Sequence, residues 1–135
     1  MIVVEGTIKG KARPRVTKKG ITYTPKDTVN YENWVKLCYQ QQDNRFIEGP
    51  IRARIIVYYK IPKSYTKKRV QAIREGLEYP CKKPDIDNCI KIILDSLNRI
   101  AYKDDSQIVE VIAVKKWTEG IERLEFSLEE IKQGN

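Results

Sequence analysis

The stretch KKPDIDNCIKIILDSLNRIAYKDDSQIVE, residues 82–110, decides both the fold and the chemistry of this chain. Five of the seven aspartates lie between positions 85 and 105, although the formal net charge of the whole chain is +8. Carboxylates about 4 Å apart repel by roughly 1 kcal/mol in water and roughly 4 kcal/mol at the effective dielectric constant of a protein surface. Several converging aspartates therefore predict a bound cation, and a divalent metal ion is the best candidate.

A helix is predicted to carry the first three of these aspartates. Pro84 and Asp85 are typical of a helix N-terminus, and apolar residues recur at helical spacing from Ile86 to Ile100. We therefore predict a helix over residues 85–101 with its apolar face packed inward. The polar residues of the opposite stripe are Asp87, Lys91, Asp95 and Asn98.

The other two aspartates precede a predicted strand. Asp104 and Asp105 come just before the apolar run from Ile108 to Val114. If the start of this strand lies beside the start of the helix, both aspartate pairs meet. We therefore expect Asp85 and Asp87 to lie close to the later pair.

Each of these residues also has an ordinary structural interpretation. The two aspartates at the helix start can be caps, Lys91 can be an exposed ion-pair partner, and the later pair can form a polar turn. Taken singly, each of these roles is the commoner one. A solvated helix face usually carries Glu rather than Asp, however, because Asp is the poorer helix former. Of the eleven glutamates, only Glu110 lies within residues 80–118.

The residue types that are missing narrow the chemistry. The chain has no histidine, which excludes Ser/His/Asp and Cys/His nucleophilic mechanisms and His-ligated zinc. Cys38, Cys81 and Cys89 form no C-x-x-C pair, and we predict that they are buried, inert thiols. Ligation by oxygen alone indicates Mg²⁺ or Mn²⁺, which most often act on phosphate esters.

The length and the hydrophobic pattern predict one α+β domain. A chain of 135 residues with 41% hydrophobic content can bury a single core. Strands are predicted at residues 2–9, 21–24, 51–61, 107–117 and 121–128, and further helices at residues 28–42 and 64–77, the latter capped by Ser64. They give a mixed sheet flanked by helices.

The sequence also predicts where the protein acts. No apolar run is long enough to span a membrane, and the start, MIVVEG, lacks signal-peptide features. We therefore expect the protein to be located in the reducing cytoplasm.

Positive charge is concentrated in two zones that flank the aspartates. Residues 1–26 hold seven Lys or Arg against one acid, and residues 60–83 hold eight against two. This distribution is expected if a polyanion must be held while a metal site acts on it. Basicity alone also fits acidic-surface binding or solubility, but the sequence pI of about 9.4 favours nucleic acid.

The motifs together carry a resemblance to a known family. The run KPDIDN at residues 83–88, Lys91, the pattern Asp95-x-Leu97-Asn98 and the run DDSQIV at residues 104–109 resemble the signature of the RusA-type Holliday junction resolvases. The segment KARPRVTKKGITYTP, residues 11–25, followed by a helix, is similar to many members. The resemblance implies a dimeric, Mg²⁺-dependent endonuclease with a mixed sheet and helices, for which Mn²⁺ is a possible substitute metal.

The resemblance also implies roles for particular residues. Asp85, Asp87 and Asp105 match the functional carboxylates of the family, and Lys91 matches its catalytic lysine. Asp104 is a further candidate metal ligand. The predicted contacts to DNA phosphates are Arg13, Arg15, Lys18, Lys19, Lys82 and Lys83. Asp95 and Asn98 can support a metal ligand or make contacts within the fold, and we favour the second role.

Two further questions stay open at this point. The chain can instead be a non-catalytic basic nucleic-acid-binding protein, or a metal-dependent phosphohydrolase that acts on small phosphates. A resolvase must cut a four-way junction twice, so a homodimer with one site in each chain is expected. The candidate interfaces are the first strand, residues 21–24 and strand 51–61.

Overall fold

A four-stranded mixed sheet forms the centre of the molecule in the computed structural model, which describes residues 1–10, 15–16, 18–20, 22–23 and 26–133. The strands among these residues are β1 (Ile2–Glu5), β2 (Arg15–Val16), β3 (Thr22–Tyr23), β4 (Ile51–Lys60), β5 (Ile108–Thr118) and β6 (Arg123–Glu130). The helices are α1 (Lys26–Gln42), α2 (Lys67–Arg74) and α3 (Ile86–Ser96), with a 3₁₀ turn at Asp105–Gln107. The predicted α+β class, with a mixed sheet in a single domain, is confirmed.

The sheet has the strand order β1-β6-β4-β5, and β2 pairs with β3 in a separate small hairpin. Strand β4 runs parallel to β5 and antiparallel to β6. Successive side chains of a strand point to opposite faces of the sheet. The alternate residues of β4 from Ile51 to Tyr59 are therefore buried together under α1 and α3, whereas those between them lie on the opposite, more exposed face.

Helix α3 is shorter than the predicted helix over residues 85–101. It ends at Ser96, and Arg99 takes a positive φ of 68° in the turn that follows. The Arg99 amide N–H donates to the Tyr102 carbonyl at 2.6 Å, and the Tyr102 hydroxyl donates to the Leu94 carbonyl at 2.5 Å. These bonds fold the chain back, so Ile100 belongs to a turn and not to the helix.

Helical spacing in the sequence predicts an inner face of α1 that consists of Val29, Tyr31, Trp34, Leu37 and Cys38. Tyr31 and Cys38 are buried as predicted, but the other three are at least 40% exposed. The buried residues of this helix are Thr28, Tyr31, Val35, Cys38 and Tyr39. Trp34 instead donates its indole N–H to the Glu5 carbonyl at 2.9 Å, so its ring lies at the margin of the contact between α1 and β1.

Two smaller predictions also need correction. Helix α2 is capped by Thr66, whose side chain accepts from the Arg69 amide N–H at 3.2 Å, and not by Ser64. Cys38 and Cys89 are buried, as predicted, but Cys81 is exposed. No helix among the described residues is both long and apolar enough to cross a bilayer.

Candidate active site at the ends of α3

Asp85 stands at the N-cap position of α3, but its side chain makes no capping hydrogen bond. Its carbonyl oxygen accepts from the Cys89 amide N–H at 3.1 Å, which is the first bond of the helix. The carboxylate is exposed and lies at the positive end of the helix dipole. An aspartate at this position ordinarily caps the helix. The Asp85 side chain does not, so its carboxylate is available for another role.

Strands β4 and β5 hold the loop that leads into Asp85. The buried Tyr59 hydroxyl donates to the Pro84 carbonyl at 2.6 Å, and the Lys115 ammonium donates to the Lys82 carbonyl at 2.6 Å. The peptide bond between Lys83 and Pro84 is cis. The central strand β4 and its neighbour β5 at the sheet edge thus position the start of α3.

Asp87 and Lys91 follow Asp85 on α3 as the sequence predicts. Asp87 lies in the first turn, Lys91 lies one turn later, and both side chains are exposed. Residues four apart on a helix are neighbours on its surface. The start of α3 therefore presents two carboxylates and an ammonium group to the solvent.

A second group of oxygen donors lies at the other end of α3, around Asp105. Burial and a hydrogen bond with the Asp95 carboxyl raise the pKa of Asp105 above its ordinary value, and the charge of Asp104 adds to the effect. Asn98 donates to Asp105 and acts in the opposite direction. The Asn98 Oδ1 atom is buried and has no hydrogen-bond partner. Two crowded carboxyls and an unsatisfied amide oxygen are donors of the kind that Mg²⁺ binds.

Asp104 has a structural task in the turn before β5. Its carboxylate accepts from the Ser106 amide N–H at 2.9 Å, and hydrogen bonds from Ser106 lower the pKa of Asp104. Gln107 Oε1 accepts in return from the Asp104 amide N–H at 3.2 Å, which completes a capping box. Asp104 was predicted as a metal ligand. In the structure its carboxylate is engaged in the turn by the Ser106 amide N–H, which leaves it less available to a metal ion.

The structure does not bring the two aspartate pairs together within one chain, so that expectation is wrong. Strand β5 starts beside Ile51, whereas α3 starts beside Tyr59 at the other end of β4. Because β4 and β5 are parallel, Asp105 meets the end of α3 and not its beginning. Asp87 and Asp95 are about 12 Å apart along the helix axis. Among the described residues, no group of three or more Cys, Asp or Glu side chains is close enough to hold a metal ion.

The donor types nevertheless fit a hard divalent cation at either end of α3. Asp85 and Asp87 offer two carboxylates at the start of the helix, and Asp95, Asn98 and Asp105 offer carboxyl and amide oxygens near its end. Sequence analysis favoured a purely structural role for Asp95 and Asn98. Both residues contact Asp105, so they lie beside a predicted site residue, and their place on the same helical stripe as Asp87 was the available signal.

The N-terminal basic segment, residues 9–19, begins next to Asp85. A cavity of about 380 Å³ lies between the two, and its lining includes Lys9, Gly10, Lys83 and Asp85. A Cβ atom on Gly10 would lie 2.8 Å from the Pro84 Cβ atom, so the two backbones approach closely. The chain after β1 therefore leads directly from the start of α3 into the basic segment.

The predicted DNA contacts lie in the loop before Asp85 and in the N-terminal part of the chain around β2 and β3. Lys82 and Lys83 are exposed in the loop before Asp85, and Lys18 and Lys19 are exposed in the turn between β2 and β3. Arg15 belongs to β2, and Arg13 lies outside the described residues. Sequence reasoning missed Lys9, which lies between β1 and the basic segment and lines the cavity beside Asp85.

Comparison with known proteins decides the family. A family model described as Endodeoxyribonuclease RusA matches residues 5–129, nearly the whole chain. The chain belongs to the RusA endodeoxyribonuclease family. It is also similar to the uncharacterized protein YqaN of Bacillus subtilis (strain 168), with 34% identity over 110 residues, which are 79% of this chain and 77% of that protein. Membership in the RusA family makes DNA the partner and favours a nuclease over the two alternative classes.

Proposed function

We propose that this protein is a structure-selective endonuclease that resolves four-way DNA junctions by paired, Mg²⁺-dependent phosphodiester hydrolysis during recombination and repair. The observation that carries the proposal is the exposed start of α3, where the uncapped Asp85 carboxylate, Asp87 and Lys91 stand together. The RusA family supports the endonuclease class. We expect the protein to act in the cytoplasm of a bacterial or phage-infected cell.

The carboxylates would hold the metal that the reaction needs. We assign Asp85 and Asp87, at the start of α3, as the metal ligands that face the substrate. Asp105, which contacts Asp95 and Asn98 near the other end of α3, would be the third functional carboxylate. Bound Mg²⁺ would lower the pKa of a water molecule and neutralise charge on the scissile phosphate, and Mn²⁺ could replace it. No histidine is needed for this chemistry, which agrees with the composition of the chain.

Lys91 would stabilise the negative charge that develops on the phosphate. Its side chain is exposed one helical turn after Asp87 and points to the same solvent-facing stripe. A positioned ammonium group is most effective where the transition state gathers charge. Lys91 therefore adds to the electrostatic effect of the metal and is not required to accept a proton.

The basic residues near the start of α3 would hold the DNA backbone. Lys9 and Lys83 line the cavity next to Asp85, and Lys18 and Lys19 are exposed in the β2–β3 hairpin. Contacts of Lys and Arg with phosphates supply affinity without sequence information. Selectivity for branched DNA must then come from geometry, including the spacing of two sites.

A homodimer would supply the second site. Junction resolution requires two symmetric incisions, whereas one chain offers a single α3 start. Two-fold symmetry is the commonest arrangement of soluble homo-oligomers, and it places identical sites in opposite orientations. The dimer therefore follows from the reaction and is part of the proposal.

One cleavage assay tests the proposed activity against its alternatives. The protein is incubated with labelled four-way junction, linear duplex or single strand, with Mg²⁺, Mn²⁺ or Ca²⁺. We expect cleavage of the junction with Mg²⁺ or Mn²⁺ and little cleavage of the linear duplex. DNA binding without cleavage under all conditions would contradict the proposal and favour a binding protein. Turnover of free nucleotides without DNA cleavage would favour a small-phosphate hydrolase.

A further inference from the structure

Helix α1 presents a tryptophan to the solvent beside the start of the N-terminal basic segment. Trp34 is 40% exposed, although tryptophan is on average a well-buried residue. Its indole N–H donates to the Glu5 carbonyl at 2.9 Å, and Glu5 is paired with Arg123 in the ladder between β1 and β6. The sheet therefore holds the ring in place while part of its surface stays open to a ligand.

A shallow cavity of about 270 Å³ lies against this ring. Its lining consists of Thr7, Lys9, Asn30, Tyr31 and Trp34. Tyr31 is buried, whereas Thr7, Lys9 and Asn30 are exposed. The cavity thus combines an aromatic surface with one cation and two uncharged polar side chains.

Hydrogen bonds hold the backbone that carries Thr7 and Lys9. The Gly6 amide N–H donates to the Glu122 carbonyl at 2.9 Å, and the Ile8 amide N–H donates to the Glu122 carboxylate at 3.3 Å. The Ile8 side chain is also buried in the core. The cavity is therefore formed before a ligand binds, which lowers the entropic cost of binding.

Lys9 connects this cavity with the proposed active site. The same residue lines the cavity next to Asp85. Thr7 lines the cavity at Trp34 and Gly10 lines the cavity at Asp85, and three residues of chain span at most about 11 Å. Stacked nucleotides rise about 3.4 Å each along a strand, so at most roughly three nucleotides separate the two places.

The composition of the cavity identifies a nucleotide as its occupant. An indole ring stacks on any base, an ammonium group binds phosphate, and the Asn30 amide and the Thr7 hydroxyl can hydrogen-bond to a base edge. The formal net charge of +8 favours the same ligand. An apolar protein partner fits poorly, because Thr7, Lys9 and Asn30 surround the ring with polar groups.

Only some DNA structures expose the face of a base. Within a linear duplex, the neighbouring base pairs cover both faces of each pair. At a branch point the stack is interrupted, so a base or an end base pair presents an open face. A stacking residue a few nucleotides from the scissile phosphate therefore distinguishes branched DNA from linear DNA.

We infer that Trp34 stacks on a nucleobase exposed at the branch point, while Lys9 binds the phosphate between this base and the site at Asp85. This inference rests on the proposed function and adds a substrate-binding subsite to it. Trp34 lies away from the reacting phosphate in this arrangement. Its loss therefore lowers affinity for branched DNA more than it lowers the cleavage rate of the bound complex.

Substitutions that keep or remove an aromatic ring test the stacking. Trp34→Phe and Trp34→Leu both lose the hydrogen bond to Glu5, but only Trp34→Phe keeps a ring. Affinity for a labelled four-way junction and for a linear duplex is measured by fluorescence anisotropy with a chelator, which prevents metal-dependent cleavage. Trp34→Leu should weaken junction binding roughly 5- to 100-fold and leave duplex binding unchanged, whereas Trp34→Phe should keep most of the affinity.

The matched control is Leu37→Ala. It removes a 44% exposed apolar side chain from the same helix but outside the cavity, so it should bind the junction like the wild type. Circular dichroism checks that each variant is folded.

The emission of Trp34 reports the contact directly. The chain has two tryptophans, so in a Trp117→Phe background all tryptophan emission comes from Trp34. Stacking on a base quenches indole fluorescence. We expect the four-way junction to quench the emission and the linear duplex to change it little.

Three results would overturn the inference. They are equal junction affinity of Trp34→Leu and Trp34→Phe, equal losses of affinity for junction and duplex, and junction binding without quenching.

These readouts are independent of the nuclease proposal, because they measure binding without metal. Selective quenching by a junction that the protein does not cut would count against the nuclease and leave the subsite in place. Cleavage of junctions by a protein whose Trp34 emission does not respond would overturn the subsite and leave the nuclease in place.

Discussion

At the scale of single residues, the site is defined by side chains that the fold does not use. Asp85 stands where a helix cap is expected, yet it makes no capping bond, whereas Asp104 at the next turn does. The Asn98 Oδ1 atom is buried without a partner, and the Asp105 carboxyl is crowded by its neighbours. A buried oxygen atom without a partner and a crowded carboxyl both cost stability, and their presence together is typical of a functional site.

The first prediction concerns the carboxylates at the start of α3. Asp85→Asn or Asp87→Asn keeps the size of the side chain but removes a charge from the proposed metal site. Cleavage should fall roughly 100-fold or more, while junction binding persists. The free energy of unfolding should change by less than about 0.5 kcal/mol, because the site is exposed. Gel assays of cleavage and binding check this, with Glu75→Gln as the control. A variant that cuts like the wild type would remove that residue from the site.

The second prediction concerns the effect of the Asp105 carboxyl on the stability of the metal-free protein. Because the folded protein raises the pKa of Asp105, ionisation of this carboxyl opposes folding. The cost is absent below the ordinary pKa of 3.8, grows as the pH rises from there to the higher folded pKa, and is constant above it. With a chelator present, Asp105→Asn should therefore stabilise the protein at neutral pH. The gain should vanish in acid. Thermal melts over this pH range measure it, and an equal gain at all pH values would contradict the account.

At the scale of elements, the N-terminal segment approaches α3 closely at Gly10, so the proposed DNA-binding residues begin beside the proposed metal ligands. The third prediction follows from this approach. Gly10→Ala places a Cβ atom 2.8 Å from Pro84 Cβ and 3.0 Å from Asn88 Cβ, so the segment must move. We expect a loss of about 1–3 kcal/mol in stability, with weaker cleavage. Gly120→Ala is the matched control, because its Cβ would meet only an ordinary contact at 3.5 Å. Equal behaviour of the two variants in denaturant melts would contradict the proposed packing.

The fourth prediction concerns the β2–β3 hairpin as a DNA contact. Replacing Lys18 and Lys19 with Gln should weaken junction binding and flatten the slope of log K against log salt by up to roughly 0.9 for each lost phosphate contact. Cleavage at saturating enzyme should change less. The comparison variant replaces Lys67 and Lys68 on the exposed helix α2. If only that variant changed the slope, the DNA would cross α2 and not the hairpin.

Much of the element pattern could be predicted because local signals were strong. The alternation in β4 matches its burial, and Asp87 and Lys91 of α3 are exposed as expected, whereas Asp95 and Asn98 are half-buried. The inner face of α1 was misassigned because Val29, Trp34 and Leu37 offer a second apolar stripe, and only contact with the sheet selects between the two. Local sequence did not identify the reversal at Arg99 that ends the predicted helix early.

The arrangement of the site could be predicted only in part, since it depends on direction as well as on order. The sequence shows that Asp105 follows α3 and precedes β5. It does not show which end of α3 the start of β5 meets. That is decided by the parallel pairing of β4 with β5, a long-range contact, and it puts Asp105 next to Asp95 and Asn98.

At the scale of the whole molecule, charge and symmetry complete the account. The chain carries a formal net charge of +8, which favours association with DNA. Its metal-ligand candidates lie near the two ends of α3. A dimer of such chains would present two carboxylate sites to one branched DNA molecule, which is what paired incision requires.

The most direct test of this account is cleavage of a junction extruded as a cruciform in supercoiled plasmid, with Mg²⁺ and the wild-type protein. Two coordinated incisions across the junction convert the circle directly to a linear molecule, and single incisions leave nicked circles. We predict linear product from the start of the reaction, and its loss with Asp85→Asn. Accumulation of nicked circles alone would contradict the resolvase function and leave a single-cut, structure-selective nuclease in its place.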